Sequence, residues 1–193
     1  MKSTLLFLLA SVLFLGQVAA QKYIIDPGHS SVQIQVERFG VVDVVGRFKD
    51  VSGSISFDAA DPSKTAADAS IKVASYDANN TGGEDAVKSP AFLDAATYPE
   101  ISFKSKSVST ANGENVLTGD LTVHGVTKEV QLPFTIKGPL LDLPTRKQSI
   151  STTASITINR QDYGIAFDRK LPSGASIVGN DVKITLIILA LAE

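Results

Sequence analysis

Three side chains with the chemistry of a hydrolase occur within five residues near the start of the chain. Asp26, His29 and Ser30 supply an acid, a base and a hydroxyl, which are the parts of nucleophilic catalysis. Asp26 opens a Pro-Gly turn that leads directly into a strand pattern, and side chains so close along one strand rarely converge. The sequence also has no G-x-S-x-G nucleophile elbow. The three residues therefore favour a hydrogen-bonded turn, and we predict no catalytic residues and no enzymatic activity.

Metal and nucleic-acid chemistry find little support in the composition. The second histidine, His124, precedes Gly125 between two strand-like segments, and no third ligand stands at a recognisable spacing. We interpret His124 as a turn residue and predict no metal site. The absence of cysteine excludes disulfides, thiolate metal ligands and a cysteine nucleophile. A net charge of -2 offers no basic face, so we predict no nucleic-acid partner.

The first twenty residues have the pattern of a secretory signal. Lys2 gives a positive start, residues 4–16 are almost purely apolar, and Val18-Ala19-Ala20 resembles a cleavage site. The apolar run is shorter than the roughly 20 residues that a membrane-spanning helix needs. We therefore predict a signal peptide over residues 1–20, one domain over residues 21–193, and a periplasmic or secreted location.

Alternating apolar and polar residues indicate that the remaining chain is all-β. Val32, Ile34 and Val36 alternate with polar neighbours, which is the period of a half-buried strand. Eight or so such strands without disulfides must protect their edges, and a sheet closed on itself does so directly. We predict a single closed or nearly closed antiparallel barrel. Similar alternation occurs in residues 53–58, 69–75, 101–108, 117–123, 130–136 and 154–158.

Two segments depart from simple alternation. Within residues 81–96, Ser89 and Pro90 resemble a helix N-cap and first turn, and residues 83–88 could form another helix, so one or two short helices are predicted. The last strand, residues 182–191, becomes apolar on both faces in its second half. We expect its outer face to pack under residues 81–96 or against a second copy of the chain, which makes a homodimer a possible arrangement.

A barrel of about eight strands either fills with its own side chains or holds one small or slender ligand. The inward residues here are apolar, so the lumen predicts a hydrophobic small-molecule ligand. Arg38, at the end of an apolar strand, is a candidate contact for an anionic headgroup, or a rim residue whose charge reaches water. The predicted lumen residues are Val36, Phe39, Val44, Phe48, Ile71, Val73, Phe92, Phe103, Val123, Phe134, Ile158, Phe167 and Ile184.

A series of short motifs, in a fixed order along the chain, carries a family resemblance. They are Tyr23-x-Ile25-Asp26, His29-Ser30, Gly46-x-Phe48, Gly53-x-Ile55, Phe92-Leu93-Asp94, Tyr98-Pro99-x-Ile101-x-Phe103, Gly119-x-Leu121-Thr122-Val123-x-Gly125, Arg160-x-Asp162-Tyr163-Gly164 and Gly179-x-x-Val182. Each motif is short, but their order and spacing cover almost the whole chain after residue 20. In these features the chain resembles the YceI-like family of exported polyisoprenoid-binding proteins.

The resemblance implies a non-enzymatic, extended lipocalin-like barrel that takes the tail of a polyprenyl diphosphate, an isoprenoid quinone or a similar long-chain amphiphile. It implies no cofactor other than such a bound lipid. The sequence departs from the family pattern where polar contacts are expected. Arg38 and Ala86 stand where many members carry histidine, and Gly83 and Glu84 replace a common charged pair. The resemblance therefore extends to the tail site more than to any headgroup site.

Two other classes of protein share parts of this pattern. A barrel with a filled core could act as an exported interaction or stress-protection module without a lipid. A barrel embedded in an outer membrane would also alternate, with its apolar face outward. The absence of Trp, only 4 Tyr, and segments of five to seven residues argue against the membrane barrel, because it needs aromatic girdles and longer strands.

Overall fold

The computed structural model describes residues 20–111 and 113–193, and almost all of the predicted signal peptide therefore lies outside the described residues. One antiparallel sheet of eleven strands and one α-helix, α1 (Thr81–Lys88), make up the described fold, with short 3-10 turns between them. The strands are β1 (Gln21–Ile25), β2 (Ser31–Arg38), β3 (Val42–Phe48), β4 (Val51–Phe57), β5 (Ala66–Lys72), β6 (Tyr76–Asp77), β7 (Glu100–Ala111), β8 (Glu114–Val123), β9 (Val126–Leu141), β10 (Gln148–Asn159) and β11 (Val178–Ala192).

The sheet closes into a barrel of eight strand positions, as the sequence predicts. The ring runs β1-β4-β5-β7-β8-β9-β10-β11, and β11 pairs back onto β1. Three short strands extend members of the ring toward the other end of the barrel. β2 continues β1 along β11, β3 pairs with β2 and continues β4, and β6 pairs with β3 and continues β5. Every pairing is antiparallel. When β1–β2, β3–β4 and β5–β6 are each taken as one interrupted strand, neighbours in the ring follow chain order, as in an up-and-down barrel.

The strands of the second half are longer than the alternating segments indicate. β7 to β11 have between 10 and 16 residues, not five to seven. Register shifts between Ser105 and Ser107 and between Ser149 and Ser151 mark bulges that break the alternation while the strand continues. The prediction of short strands was therefore wrong, because alternation stops where a bulge occurs or where the strand runs beyond the buried lumen.

The apolar residues of the alternating strands point into the barrel. Alternation alone leaves open whether the apolar face of such a sheet lies inside or outside. One end of the interior is closed by buried side chains from several strands, including Tyr23, Phe57, Ile150 and Ala190. Ala190 pairs with both Ile25 and Ile150, so small and large residues alternate across this closed end. The opposite end, near the β2–β3 hairpin, carries exposed side chains instead. The lumen is consequently blind at one end.

Ser30 bridges the gap between β1 and β2 in their pairing with β11. Between β1 and β2 the chain forms a 3-10 turn at Pro27–His29, and the ladder to β11 is broken there. The Ser30 hydroxyl donates to the Leu189 carbonyl at 3.2 Å and accepts from the Leu189 N–H at 3.0 Å. The Asp26 N–H also donates to the Leu189 carbonyl. A side chain thus replaces the missing strand residue as partner for β11.

Helix α1 confirms the short helix predicted over residues 83–88, whereas the helix predicted to start at Ser89 and Pro90 does not form. α1 begins after Asn80, where the Glu84 carboxylate accepts from the Ala78 and Asn80 N–H groups, and it ends at Ser89. Ser89 accordingly ends a helix and does not start one, and residues 90–97 form turns. The return contact from Glu84 to the N-terminal backbone supplies the capping that the sequence-based prediction assigned to Ser89.

The outer face of β11 is not covered by residues 81–96, so that alternative was wrong, and the other alternative, contact with a second copy of the chain, stays a prediction. Helix α1 contacts β6 and faces the open end of the lumen, far along the barrel from the β1 pairing. On the outer face Ile187 is 41% exposed, and Leu189 and Leu191 are half-buried. Among the described residues, no helix has the length and apolar character needed to cross a membrane.

Candidate functional site: an apolar lumen with one mouth

A cavity of about 570 Å³ occupies the barrel interior. Its deep walls are buried side chains such as Leu117, Leu132 and Phe134, whereas Arg38 and Val44, at the other end, are exposed. The volume is within the roughly 300–1,000 Å³ typical of small-molecule sites. The barrel is therefore not filled by its own side chains, and its cavity opens at the end that holds the β2–β3 hairpin and α1.

Most of the predicted lumen residues do lie on the cavity wall. They come from β2, β3, β5, β7, β8, β9, β10, β11 and the turn after α1, because each strand contributes its inward phase. The structure brings together Val36, Val44, Phe48, Ile71, Phe92, Phe103, Val123, Phe134, Ile158 and Ile184. Their contact with a ligand remains a prediction.

Three predicted lumen residues do not line the cavity. Val73 is buried in the core within a 3-10 turn after β5, where the strand alternation has ended. Phe39 has a positive φ of 59° in the β2–β3 turn, and this turn carries its ring under the Arg38 guanidinium. Phe167 packs against Phe92, with ring centroids 4.9 Å apart. Of this pair only Phe92 reaches the cavity, so Phe167 supports the wall from behind.

Two glycines leave room for the aromatic side chains of the wall. A Cβ on Gly46 would lie 2.1 Å from the Tyr76 hydroxyl oxygen, and a Cβ on Gly119 would lie 2.6 Å from the Phe103 Cζ atom. Real Cβ atoms do not approach so closely, so both rings pack directly on bare backbone. The rings of Tyr76 and Phe48 also contact each other, with centroids 5.2 Å apart. These close approaches explain why the glycines occur in otherwise alternating strands.

The mouth of the cavity combines one cation with small side chains. Arg38 lines the cavity, and its guanidinium lies 3.9 Å from the Phe39 ring centroid. Within the described residues no carboxylate lies within 4 Å of Arg38. Gly83 and Ala86 of α1 line the same cavity. Three of the four positions at which the sequence departs from the family pattern therefore line the same cavity, at the end where it opens.

Arg160 is a buried cation that holds the segment over the mouth in place. It is 4% exposed, and it donates to the backbone carbonyls of Ile165, Phe167, Val178 and Gly179 and to the Asn180 side chain at 2.6 to 3.4 Å. Burial lowers the pKa of Arg160, and the nearby Asp168 partly opposes that effect. The planar guanidinium donates to backbone carbonyls at both ends of the segment formed by residues 165–179. Arg160 therefore joins the end of β10 to the start of β11.

The remaining polar groups of the cavity wall are few. Tyr76 and Tyr163 both line the cavity, and burial raises the pKa of each hydroxyl. Glu84 adds to the rise at Tyr76 and Asp162 to that at Tyr163. The Thr152 hydroxyl is buried without a hydrogen-bond partner among the described residues. The rest of the wall is mainly aliphatic and aromatic, which suits a ligand part with few hydrogen-bonding groups. The other polar residues of the wall are Arg38, Thr65, Asn80, Ser102 and Arg160.

The residues with hydrolase chemistry lie outside the cavity. The His29 Nδ1 atom is 2.7 Å from an Asp26 carboxylate oxygen, and this hydrogen bond is the main cause that lowers the pKa of Asp26. The Ser30 hydroxyl, however, is held by the backbone of Leu189. His124 has a φ of 50° in the β8–β9 turn, and its ring contacts the Tyr98 ring in a tilted arrangement. No group of three metal-ligating side chains occurs in residues 20–111 and 113–193.

Several residues of the site were not predicted from the sequence. The small wall residues Ala67, Ala69 and Ala154 continue the inward phase of their strands, so alternation could have identified them. Val45 and Val87 also line the mouth. Arg160 gave no such signal, because its partners are backbone carbonyls that no residue type reveals.

A closed antiparallel barrel with an apolar cavity belongs to the class of barrels whose interior has room for one small ligand. The YceI-like domain model matches residues 23–190, and the chain belongs to the YceI-like family. A UPF0312 protein of Pseudomonas savastanoi pv. phaseolicola is 36% identical over 158 residues, covering 80% of this chain and 82% of that protein. A UPF0312 protein of Shewanella sp. (strain MR-7) is 34% identical over 173 residues, covering 87% and 90%.

Solved structures of the same fold agree with this assignment. BcnA of Burkholderia cenocepacia has a TM-score of 0.74 and 26% identity, covering 86% of this chain and 99% of that chain. A domain from Saccharophagus degradans described as polyisoprenoid-binding, and as implicated in plant cell wall breakdown, has a TM-score of 0.66, covering 90% and 99%. Its identity of 14% supports the shared fold alone.

Proposed function

We propose that the protein is a non-enzymatic carrier that holds the tail of a long isoprenoid, or of a similar amphiphilic lipid, in its barrel lumen. The observation that carries this proposal is the apolar cavity of about 570 Å³, whose lining includes exposed residues at the end that holds the β2–β3 hairpin. The solved Saccharophagus degradans domain of the same fold is described as polyisoprenoid-binding, which agrees with this ligand class. A filled barrel without a ligand is the less favoured function, since it would leave no such cavity.

Burial of the tail supplies most of the expected affinity. Each buried methylene contributes about 0.8 kcal/mol, so ten of them give on the order of 8 kcal/mol before ordering costs. This gross value corresponds to roughly micromolar binding. An exposed ion pair between Arg38 and a diphosphate or carboxylate adds only about 0 to 1 kcal/mol. The lumen then sets affinity, and the mouth sets which headgroup is accepted.

The biological setting follows from the N-terminal pattern. Export of the chain after removal of residues 1–20 would place the carrier in the periplasm or outside the cell, where it transports, stores or sequesters its lipid. A homodimer through the outer face of residues 182–191 is a further part of this proposal. The side chains available to it are Ile187, Leu189 and Leu191.

A tryptophan placed in the lumen tests the proposed site, because the chain has no tryptophan of its own. Phe103→Trp puts the reporter on the cavity wall, and Ile187→Trp puts it on the outer face. We expect a ubiquinone, added from mild detergent, to quench the fluorescence of the Phe103→Trp variant with saturation near one quinone per chain. The Ile187→Trp variant should show only weak quenching without saturation. Equal quenching in both variants would contradict a lumen site.

A further inference from the structure

The tip of the β2–β3 hairpin is unusually apolar for an exposed turn. Val41 is 85% exposed, Val42 52% and Val45 55%, and Phe39 lies half-buried beside them. Single exposed apolar residues are normal on protein surfaces, but contiguous ones indicate an interaction site. This cluster, residues 39–45, projects from the barrel at the end where the cavity opens.

The apolar tip is continuous with the wall of the cavity. Val44 and Val45 are exposed, and both also line the cavity, together with Arg38 at the end of β2 beside the turn. An apolar path therefore runs from the exposed turn into the lumen. A lipid tail that followed this path would leave a membrane and enter the barrel without crossing water, which avoids a cost of about 0.8 kcal/mol per exposed methylene.

The charges around the tip are almost balanced. The hairpin carries Glu37, Arg38 and Asp43. Residues 168–177 lie beside it, because the Phe39 N–H donates to the Ile177 carbonyl, and they carry Asp168, Arg169 and Lys170. Three acids and three bases cancel in these two segments. Helix α1, at the same end, adds Glu84, Asp85 and Lys88, which leaves one acid in excess, so this face does not attract an anionic surface strongly. The occupant that fits an apolar projection with almost balanced charges is the interfacial region of a lipid bilayer.

We propose that residues 39–45 dock the barrel on a lipid bilayer, with Val41 and Val42 inserted among the headgroups and the mouth facing the membrane. This proposal rests on the proposed lipid-carrying function, because the cavity gives the docked orientation its purpose. The partner is the bilayer itself and not a charged receptor. Binding should therefore occur on zwitterionic lipid and persist at high salt.

Vesicle flotation tests the docking surface. The parent protein should float with phosphatidylcholine vesicles, and Val41→Asn combined with Val42→Asn should weaken this binding at least about tenfold, since two apolar side chains lose their burial. Neither valine lines the cavity. Leu140→Asn combined with Leu143→Asn is the matched control, because these leucines are 71% and 72% exposed and lie outside the cavity wall, at the end of β9 and just after it.

We expect this control variant to float like the parent. All variants share the same N-terminal residues, so any binding by residues 1–20 contributes equally to each. A parent that stays off the vesicles, or a valine variant that floats as the parent does, would overturn the proposal. So would a valine variant whose only change is from dimer to monomer, because the tip would then contact a second copy of the chain.

The lumen reporter distinguishes failure of docking from failure of the carrier function. With Phe103→Trp added, the valine variant should still be quenched by ubiquinone delivered from detergent, because its cavity wall is intact. Quenching that persists while flotation is lost supports docking as a separate step. Flotation without any quenching, in parent and control alike, would instead support a membrane-docking tip and overturn the proposed cargo.

Discussion

An Ile184→Glu variant is expected to lose its bound lipid while keeping the barrel fold. Ile184 lies on the cavity wall, and its pairing partners Ile34 and Ile156 line the cavity too. A tail that covers the new carboxylate must remove its water, which costs about 3 kcal/mol or more and corresponds to at least roughly 100-fold weaker binding. Lipid content per folded chain, measured by mass spectrometry of an organic extract, checks this prediction.

The same strand offers a matched control. Ile187→Glu makes the identical substitution on the outer face of β11, where the side chain is 41% exposed. This variant should retain as much lipid as the parent. If Ile184→Glu does not fold, Ala69→Phe narrows the lumen without adding charge and should also reduce lipid content. Parental lipid content in a folded Ile184→Glu variant would contradict the lumen assignment.

The second large effect is expected at Arg160. Arg160→Met keeps the length of the side chain but leaves four backbone carbonyls and the Asn180 oxygen without their donor. Removing the partner of several buried polar groups typically costs about 3–5 kcal/mol. We expect the free energy of unfolding to fall by that amount, measured as a lower urea midpoint at an unchanged slope.

Two further substitutions separate hydrogen bonding from charge. Arg160→Lys keeps the charge but has no planar fork of donors, so it should recover less than half of the lost stability. Arg169→Met, at an exposed position of the same segment, should change the free energy of unfolding by no more than about 0.5 kcal/mol. A loss below about 1 kcal/mol in Arg160→Met would show that this hydrogen-bond network does not hold the segment over the mouth.

The sequence predicts the barrel well because alternation reports burial on one face. Residues 32–37 and 130–136 alternate cleanly, and both belong to strands of the ring or its continuation. β3 escaped this pattern, because Val42, Val44 and Val45 are apolar on both faces where the strand projects from the barrel. The departure from alternation there reflects exposure at the mouth and not a break in the sheet.

The site was harder to predict than the fold, for identifiable reasons. Phe39 and Val73 lie just beyond the strands whose phase would have placed them inward, and the backbone turns before the side chain can reach the lumen. Arg160 acts through backbone carbonyls of residues 5 to 19 positions away, and its role depends on the course of that segment. Alternation predicts which face of the sheet a side chain occupies within a strand. It does not predict the direction of a side chain in the turn that follows the strand.

Direct analysis of the native cargo tests the central claim most directly. We expect an organic extract of freshly purified, folded protein, examined by mass spectrometry, to contain a long-chain isoprenoid or similar amphiphile near one molecule per chain. The Ile184→Glu protein, purified in parallel, should yield almost none. Parental protein that is folded and yields no lipid, and that takes up no ubiquinone when it is offered, would contradict the account.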